Sequence, residues 1–209
     1  MADIILSDKH LSNSTFSSTI NASIDKVDLA AWLFNLSEAE YCRCCAPDHI
    51  SCASTTTEDG RPMSINVEMI GKTLMIQHYV AEMTSPSLCR MISVSDAFTP
   101  NGRRTRVQVI WTLSADRIDE KSCRYSNSVV VHPTQEFMKF ITADRIGFEE
   151  AAEARQHASC NHNRRETPLI AASIERTALG LTDRSLRRWP RPVEPVRDIL
   201  GGYGVQVVA

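Results

Sequence analysis

Hydrophobic and polar residues alternate through the middle of the chain, from His49 to Val131. An alternation with a period of two is typical of β-strands that bury one face, and short segments containing Gly or Pro separate the runs as turns do. Six strands are predicted in this way: HISCAST, MSINVEMIG, TLMIQHYVAEM, CRMISVSDAF, RTRVQVIWTLS and CRYSNSVVVH. Strands that follow one another so closely in sequence favour an antiparallel meander.

A short strand at the start of STINAS, followed by a helical pattern, precedes these six strands. The apolar residues between Leu29 and Leu36 fall on one helical face, and Asp25 or Asp28 is placed to cap that helix. Ser37 begins a second short helix, because a glutamate follows it three residues later as in a capping box.

The pattern becomes helical again after Pro133 and continues to Gly180, a residue that favours helix ends. Pro168 is expected to kink or break this long segment, because proline lacks the N–H that an interior helix position needs. A sheet that curves around one long helix leaves a cavity between them, and small ligands bind in such concave spaces.

These elements divide the chain into three parts. Residues 1–18, rich in Ser, Thr and Asn, are expected to form a disordered or extended lead. Residues 19–180 form the folded domain, and residues 181–209, rich in Pro and Gly, form an extended tail.

Charge and composition restrict the partners. The 209 residues carry a net charge of -2, so there is no basic field for nucleic acid or a membrane surface. Apolar runs fall short of the roughly 20 residues of a membrane span, and no secretory signal is predicted at the N-terminus. We therefore expect a cytoplasmic protein that binds neither nucleic acid nor membrane, and a homo-oligomer is compatible with the sequence.

Seven cysteines are present, an odd number that argues against a disulfide framework. Cys42, Cys44 and Cys45 form a C-x-C-C segment, which lacks the usual spacer of a zinc knuckle and has no second C-x-x-C pair. The three thiols are predicted to be reduced and to bind no metal.

Two residues in the strands are candidates for chemistry. His49 stands at the beginning of the first predicted strand, where it is either a ligand or an ordinary loop histidine. Glu68 interrupts an apolar strand on the same face as Ser64 and Asn66. If that face looks into the cavity, the carboxylate needs a partner, a proton or a metal, whereas on the outer face it is simply hydrated.

His162 and Glu166 form an H-x-x-x-E pair in the helical segment. On a helix, residues four apart lie on one face, so both can bind one ion, although the pattern also suits a solvated face. Other histidine–glutamate pairs are, in order of preference, His132 with Glu136 and His78 with Glu82. Two histidines and two glutamates give four N/O ligands, a set that suits zinc and other divalent metals.

The segment WLFNLSEAEYCRCCAPDHI, followed by VEMIG, resembles the 2,4-diacetylphloroglucinol hydrolase and phloretin hydrolase family over roughly residues 29–71. Members of that family carry a Tyr-x-x-Trp-His-Pro-x-Asp-His motif and then a Glu before Ile-Gly. The resemblance implies an α+β, START-like helix-grip fold with a curved antiparallel sheet around a long C-terminal helix. It also implies cleavage of a carbon–carbon bond next to an aromatic ketone, with zinc as the cofactor.

By that resemblance, the ligands of Zn²⁺ or another divalent metal are His49, Glu68, His162 and Glu166. Tyr41 is expected to be catalytic and to hold a phenol oxygen of a small aromatic or polyketide-like substrate. The expected substrate-binding residues are Tyr41, Cys52, His78 and Asn127.

Two departures from the family pattern are visible. Cys44, Cys45 and Ala46 occupy the region of the family's Trp-His, and Cys52 stands where the diacetylphloroglucinol enzyme has a polar side chain. Two other functions in the same cavity stay open at this point: a metal-free polyketide cyclase or isomerase, and a carrier of a hydrophobic small molecule.

Overall fold

One antiparallel sheet of seven strands dominates the computed structural model, which describes residues 3–181. In spatial order the strands are β1-β7-β6-β5-β4-β3-β2. The strands are β1 (Ser12–Ile20), β2 (His49–Thr56), β3 (Pro62–Ile70), β4 (Thr73–Thr84), β5 (Leu88–Phe98), β6 (Arg104–Arg117) and β7 (Cys123–Pro133). The helices are α1 (Leu29–Phe34), α2 (Glu38–Cys44), α3 (Gln135–Ala143) and α4 (Phe148–Ala178). The six predicted strands and their meander are confirmed.

The first strand corrects the predicted domain boundary. β1 begins at Ser12, inside the predicted lead, and pairs with β7 from Ser12 opposite Val131 to Ile20 opposite Cys123. The predicted short strand begins only at Ser18, because the inward residues earlier in β1 include small polar ones, and Ser12 Oγ donates a hydrogen bond to Ser159 Oγ of α4. The predicted tail lies outside the described residues, apart from Leu181.

Helix ends follow the predicted capping residues. Asp28 accepts a hydrogen bond from the N–H of Ala31 at the start of α1, and Ser37 accepts one from the N–H of Glu40 at the start of α2. Gly180, with a φ of 69°, follows the end of α4. Asp28 and Ser37 therefore satisfy backbone N–H groups at helix starts, and Gly180 follows a helix end, as the sequence predicts.

The long C-terminal segment divides into two helices, α3 and α4, which the sequence did not predict. α4 continues for 31 residues through Pro168, so the helix is not broken there. Proline removes one backbone donor, and the carbonyl that loses its partner belongs to Arg164, an exposed residue that water can reach. Within the described part of the chain, no helix has the length and hydrophobicity that crossing a bilayer requires.

α4 packs across the inner face of the sheet against β1, β7 and β3. The core between them contains fully buried apolar side chains, among them Met75, Leu113, Tyr125 and Ile174. α1 is joined to α4 by a hydrogen bond of 3.0 Å that Trp32 Nε1 donates to Ser173 Oγ. The sheet and the helix thus enclose a space whose walls come from both.

Gly71 sets the distance between the sheet and α4 at the turn from β3 to β4. Its φ is 63°, and a Cβ placed on it would lie 3.1 Å from Cβ of Ala158. We expect Gly71→Ala to destabilise the fold by about 2 kcal/mol, of which about 1 kcal/mol is the cost of the left-handed backbone conformation. Urea unfolding followed by circular dichroism measures the change.

Gly60 provides the matched control, because its φ is 83° and a Cβ there would meet nothing within 4 Å. Gly60→Ala should therefore show the backbone cost alone, and Gly71→Ala should cost less stability when it is introduced into Ala158→Gly than into the wild-type protein. Equal losses of stability for Gly71→Ala and Gly60→Ala would contradict the close approach of α4 to Gly71.

Candidate active site

Four predicted residues meet where α4 crosses the strands β2 and β3. His49 begins β2 and lies opposite Glu68 of β3, next to a register shift between His49 and Ser51. Such irregularities redirect side chains and occur next to active sites. His162 and Glu166 lie one turn apart on α4, and all four side chains belong to residues that are 5–8% exposed.

The facing atoms of these residues surround one point. His49 Nε2 lies 3.4 Å from Glu68 Oε2 and 3.2 Å from Glu166 Oε2. His162 Nε2 lies 3.4 Å from Glu68 Oε2 and 3.5 Å from Glu166 Oε2. Folding therefore joins the helical pair to the pair from the sheet.

Hydrogen bonds on the far side of each ring fix the tautomers. His49 Nδ1 donates to the carbonyl oxygen of Tyr41 at 2.8 Å, and His162 Nδ1 donates to Asp48 Oδ2 at 2.9 Å. The Nε2 atoms of both rings are buried without a hydrogen-bond partner. If the rings are neutral, each directs a lone pair at the two carboxylates, an arrangement that is repulsive unless a proton or a metal ion lies between them.

The dimensions of this donor set suit a tetrahedral metal ion. Zinc binds histidine nitrogen and carboxylate oxygen at about 2.0–2.2 Å, which separates neighbouring ligand atoms of a tetrahedron by about 3.3–3.6 Å. The four measured separations between nitrogen and oxygen are 3.2, 3.4, 3.4 and 3.5 Å. The residues therefore fit zinc in chemistry and in spacing.

The same charges shift the pKa values of the four residues. Burial alone would lower the pKa of His162, but the charges of Glu166 and Glu68 outweigh it and hold that pKa well above its ordinary value. The pKa of His49 is raised for the same reason. Burial would raise the pKa of Glu166, but His162 and His49 lower it overall. Positive charge, as a proton or as a metal ion, is therefore strongly favoured here.

Asp48 and Tyr41 hold the two histidines of the cluster in position. Asp48 accepts hydrogen bonds from His162 and from Nη2 of Arg165. The Tyr41 ring stacks on His49 with centroids 3.9 Å apart, and its hydroxyl donates to Glu68 Oε2 at 3.1 Å. The predicted contact between Tyr41 and a substrate stays a prediction, whereas the observed contacts position His49 and Glu68.

Asn127 supports the other carboxylate. Its Nδ2 donates to Glu166 Oε1 at 2.9 Å, and its Oδ1 accepts from Trp111 Nε1 at 2.8 Å. Asn127 is 0% exposed, and its side-chain oxygen and nitrogen are both used in this way. The structure thus places it behind Glu166, where sequence analysis expected a residue in contact with substrate.

The thiol of Cys45 also lies close to the two histidines. Its Sγ is 3.7 Å from His162 Nδ1, and Cys45, His49 and His162 offer ligand atoms within 4.8 Å of one another. However, His162 Nδ1 already donates to Asp48 and lies across the ring from the Nε2 that faces the carboxylates. Cys45 therefore lies beside His162, away from the point that the four N/O ligands surround. All seven cysteines are free thiols.

The other predicted pairs lie elsewhere. His132 Nδ1 donates to the carbonyl oxygen of Lys9 at 2.8 Å, and Glu136 pairs with Arg106 at 2.9 Å. Glu82, the partner considered for His78, pairs with Arg90 at 2.7 Å. Neither pair contributes to the cluster.

Two predicted substrate-binding residues are also placed differently. His78 is exposed, because the odd-numbered residues of β4 face inward and the even-numbered ones face outward. Cys52 is buried, but its thiol points to the carbonyl oxygen of Leu36 at 3.8 Å, and it does not line the cavity described below.

One cavity adjoins the cluster, and a second lies beyond it. The inner one, of about 40 Å³, is bounded by the four residues and by apolar walls that include Trp32 and Trp111. The outer one, of about 360 Å³, is lined mainly by apolar side chains between the sheet and the helices α3 and α4. Ile70 and Arg155 line both cavities and separate them. The outer volume falls in the range of small-molecule sites, whereas the inner one admits only a small group.

Sequence analysis missed the roles of Asp48 and Arg165. Asp48 is adjacent to His49 in sequence, but its partner His162 is 114 positions away. A charged segment such as NRRE is typical of a solvated helix face, so the contact between Arg165 and Asp48 left no signal that the sequence alone could show.

No family model matches the chain, and no curated protein matches it. Among solved structures, the Zhui aromatase/cyclase from Streptomyces sp. R1128 has a TM-score of 0.53 at 11% identity, over 78% of this chain and 93% of that one. A START superfamily protein from Mycobacterium smegmatis has a TM-score of 0.41 at 13% identity, over 71% and 96% of the two chains. A norcoclaurine synthase from Thalictrum flavum has a TM-score of 0.45 at 10% identity, over 88% and 99%. The predicted START-like helix-grip fold, a curved antiparallel sheet with a long C-terminal helix, is confirmed.

Glu40 ties α2, which carries Tyr41, to α4. Burial would raise its pKa, but hydrogen bonds from Ser173, Arg43 and Arg176 lower it to about 2. A carboxyl whose pKa falls on folding stabilises the protein above its ordinary pKa of 4.5 and loses that contribution as pH falls towards 2.

Glu40→Gln should therefore lower stability at pH 7 by about 1 kcal/mol, a value reduced for partial exposure, and by much less at pH 3. Urea unfolding at the two pH values measures the difference. Glu153→Gln, on the exposed face of α4, is the control and should change neither. A loss for Glu40→Gln that is the same at both pH values would contradict the charge pairing.

Proposed function

We propose that this chain is a zinc-dependent hydrolase that cleaves the carbon–carbon bond next to the ketone of an acylated phenol or a related polyketide-like molecule. The observation that carries the proposal is the convergence of two unpartnered Nε2 atoms and two carboxylates on one buried point. The resemblance supplies the reaction, because it assigns His49 and Glu68 to the metal within residues 29–71 and assigns His162 and Glu166 through the later H-x-x-x-E pair.

His49, Glu68, His162 and Glu166 would hold the metal, since their spacing and chemistry suit it. When bound, zinc supplies Lewis-acid chemistry, which polarises a ketone or phenol oxygen. Asp48 and the carbonyl of Tyr41 keep the two histidines in the tautomer that leaves Nε2 free for the metal.

The proposed reaction adds water across the bond between the aromatic ring carbon and the acyl carbon. The ring carbon gains a proton and leaves with the bonding electrons, and the acyl carbon gains the hydroxyl of water, so that a phenol and a carboxylic acid result. Tyr41, whose hydroxyl donates to Glu68, would orient a substrate oxygen beside that carboxylate, and burial raises the pKa of Tyr41, so that it keeps its proton.

The cavities set the size of the reacting part. The inner space of about 40 Å³ suits an acetyl-sized group, and the walls formed by Trp32 and Trp111 exclude water around it. The ring and its other substituents would occupy the outer cavity of about 360 Å³. A short acyl chain is therefore favoured.

The comparison with solved structures supports a second candidate better than it supports a hydrolase. The Zhui protein, whose TM-score exceeds 0.5, is an aromatase/cyclase. A metal-free cyclase or isomerase would use the same residues as general acids and bases, with protons in place of the metal. Metal content separates the two candidates most directly.

We expect about one zinc ion per chain in protein purified without a metal-binding tag, measured by elemental analysis. His162→Ala should lose most of the metal, because three ligands remain and Asp48 loses the ring that it holds. Cys45→Ala should retain the metal, because its thiol lies beside Nδ1. His132→Ala is the control for removing a buried histidine.

Loss of metal in Cys45→Ala would show that the thiolate is a ligand. A folded wild-type protein that binds no zinc, manganese or iron would contradict the hydrolase and leave the cyclase.

Asp48→Asn should weaken zinc binding by about 10–100-fold while the fold is kept, because the amide still accepts from His162 but carries no charge. We expect acetate release from 2,4-diacetylphloroglucinol to fall at limiting zinc and to recover with excess zinc. His162→Ala should not recover in this way. A product formed without release of an acid would instead identify the cyclase.

A further inference from the structure

Arg155 stands at the boundary between the two cavities. It lies on α4 seven residues before His162, which places it two turns, or about 10 Å along the helix axis, from that residue. Because Arg155 and Ile70 line both cavities, a molecule that reaches from the outer cavity to the inner one passes this guanidinium.

Arg155 forms no ion pair with another described residue, although the charge of Glu68 acts on it from a distance. Its Nε is buried without a hydrogen-bond partner, and Nη1 contacts Met75 Sδ, a weak acceptor, at 3.5 Å. By contrast, Arg103 and Arg106 pair with carboxylates at 2.5 and 2.7 Å. A partly buried guanidinium with an unsatisfied Nε is costly, so its retention between two cavities suggests that a ligand completes it.

A count of the charges around the cavity also indicates that an anion is missing. Glu68 and Glu166 would balance a divalent metal ion, and Asp48 is paired with Arg165. One positive charge, that of Arg155, is left over. A guanidinium binds a carboxylate through two parallel hydrogen bonds, and such pairs are strong where water is excluded.

We propose that Arg155 binds a carboxylate of the substrate, and that the substrates are therefore acidic aromatic ketones. The inference rests on the proposed function, because it counts the charge of the metal. In this arrangement the acyl group enters the inner cavity and the carboxylate lies at its entrance. Apolar parts of the molecule lie in the outer cavity beside Phe137 and Phe140.

Isothermal titration calorimetry with 4-acetylbenzoate and 4-acetylbenzamide tests the proposal, because the two probes differ only in charge. The zinc-loaded wild-type protein should bind the acid at least ten-fold more tightly than the amide. Arg155→Gln should lose this preference through weaker binding of the acid, with binding of the amide unchanged. Arg164→Gln, which removes an exposed cation of the same helix, should keep the preference.

Equal binding of the two probes by the wild-type protein, or a preference that survives in Arg155→Gln, would overturn the proposal. Thermal unfolding provides a second measurement that does not depend on affinity. Arg155→Gln should unfold at the wild-type temperature or above it, because a buried unpaired charge is removed. The acid should raise the unfolding temperature of the wild-type protein and leave that of the variant unchanged.

Repeating the titrations after treatment with a chelator separates this inference from the proposed function. A preference that disappears with the metal but survives in Arg155→Gln would mean that the acid binds the metal. That result would overturn the role of Arg155 and leave the proposed function standing. A preference that depends on Arg155 in a protein that binds no metal would support Arg155 and reject the hydrolase.

Discussion

Two carboxylates and two imidazoles face one another in a buried space, and this repulsive arrangement constrains the rest of the structure. Glu68 and His49 come from neighbouring strands, and Glu166 comes from the helix that crosses them. A cation between these groups converts repulsion into attraction and would tie the helix to the sheet. The fold thus supplies the separation of about 3.4 Å that a zinc ion requires between its ligands.

Hydrogen bonds from the polar groups behind these residues stabilise the cluster within an apolar core. Asp48 and Asn127 each hold one member of the cluster, and Trp111 completes the hydrogen bonds of Asn127. Unsatisfied polar groups at these positions would be costly, so the supporting residues are as necessary as those that face the metal position. The site therefore extends through two layers, from the centre of the cavity to the surface at Arg165.

The helix-grip fold and the chemistry of its cavity are separable. The fold resembles that of an aromatase/cyclase at 11% identity, a level at which the architecture is shared but the side chains that do chemistry need not be. In this chain the cavity is defined by the inward positions of α4 and β3, which carry charged and amide side chains in an otherwise apolar interior. Function is thus argued from those side chains.

The sequence by itself determined the six strands and the capped helices, because alternation and capping are local properties. It did not show the first part of β1, whose inward residues include serines, or which faces of β3 and β4 look into the cavity, since that is decided by packing. Only the tertiary structure joined His49 to His162, which are far apart in the chain, and placed Asn127 behind Glu166. Family resemblance had suggested the ligand set, but the distances that make it a site arise only when α4 packs across the sheet.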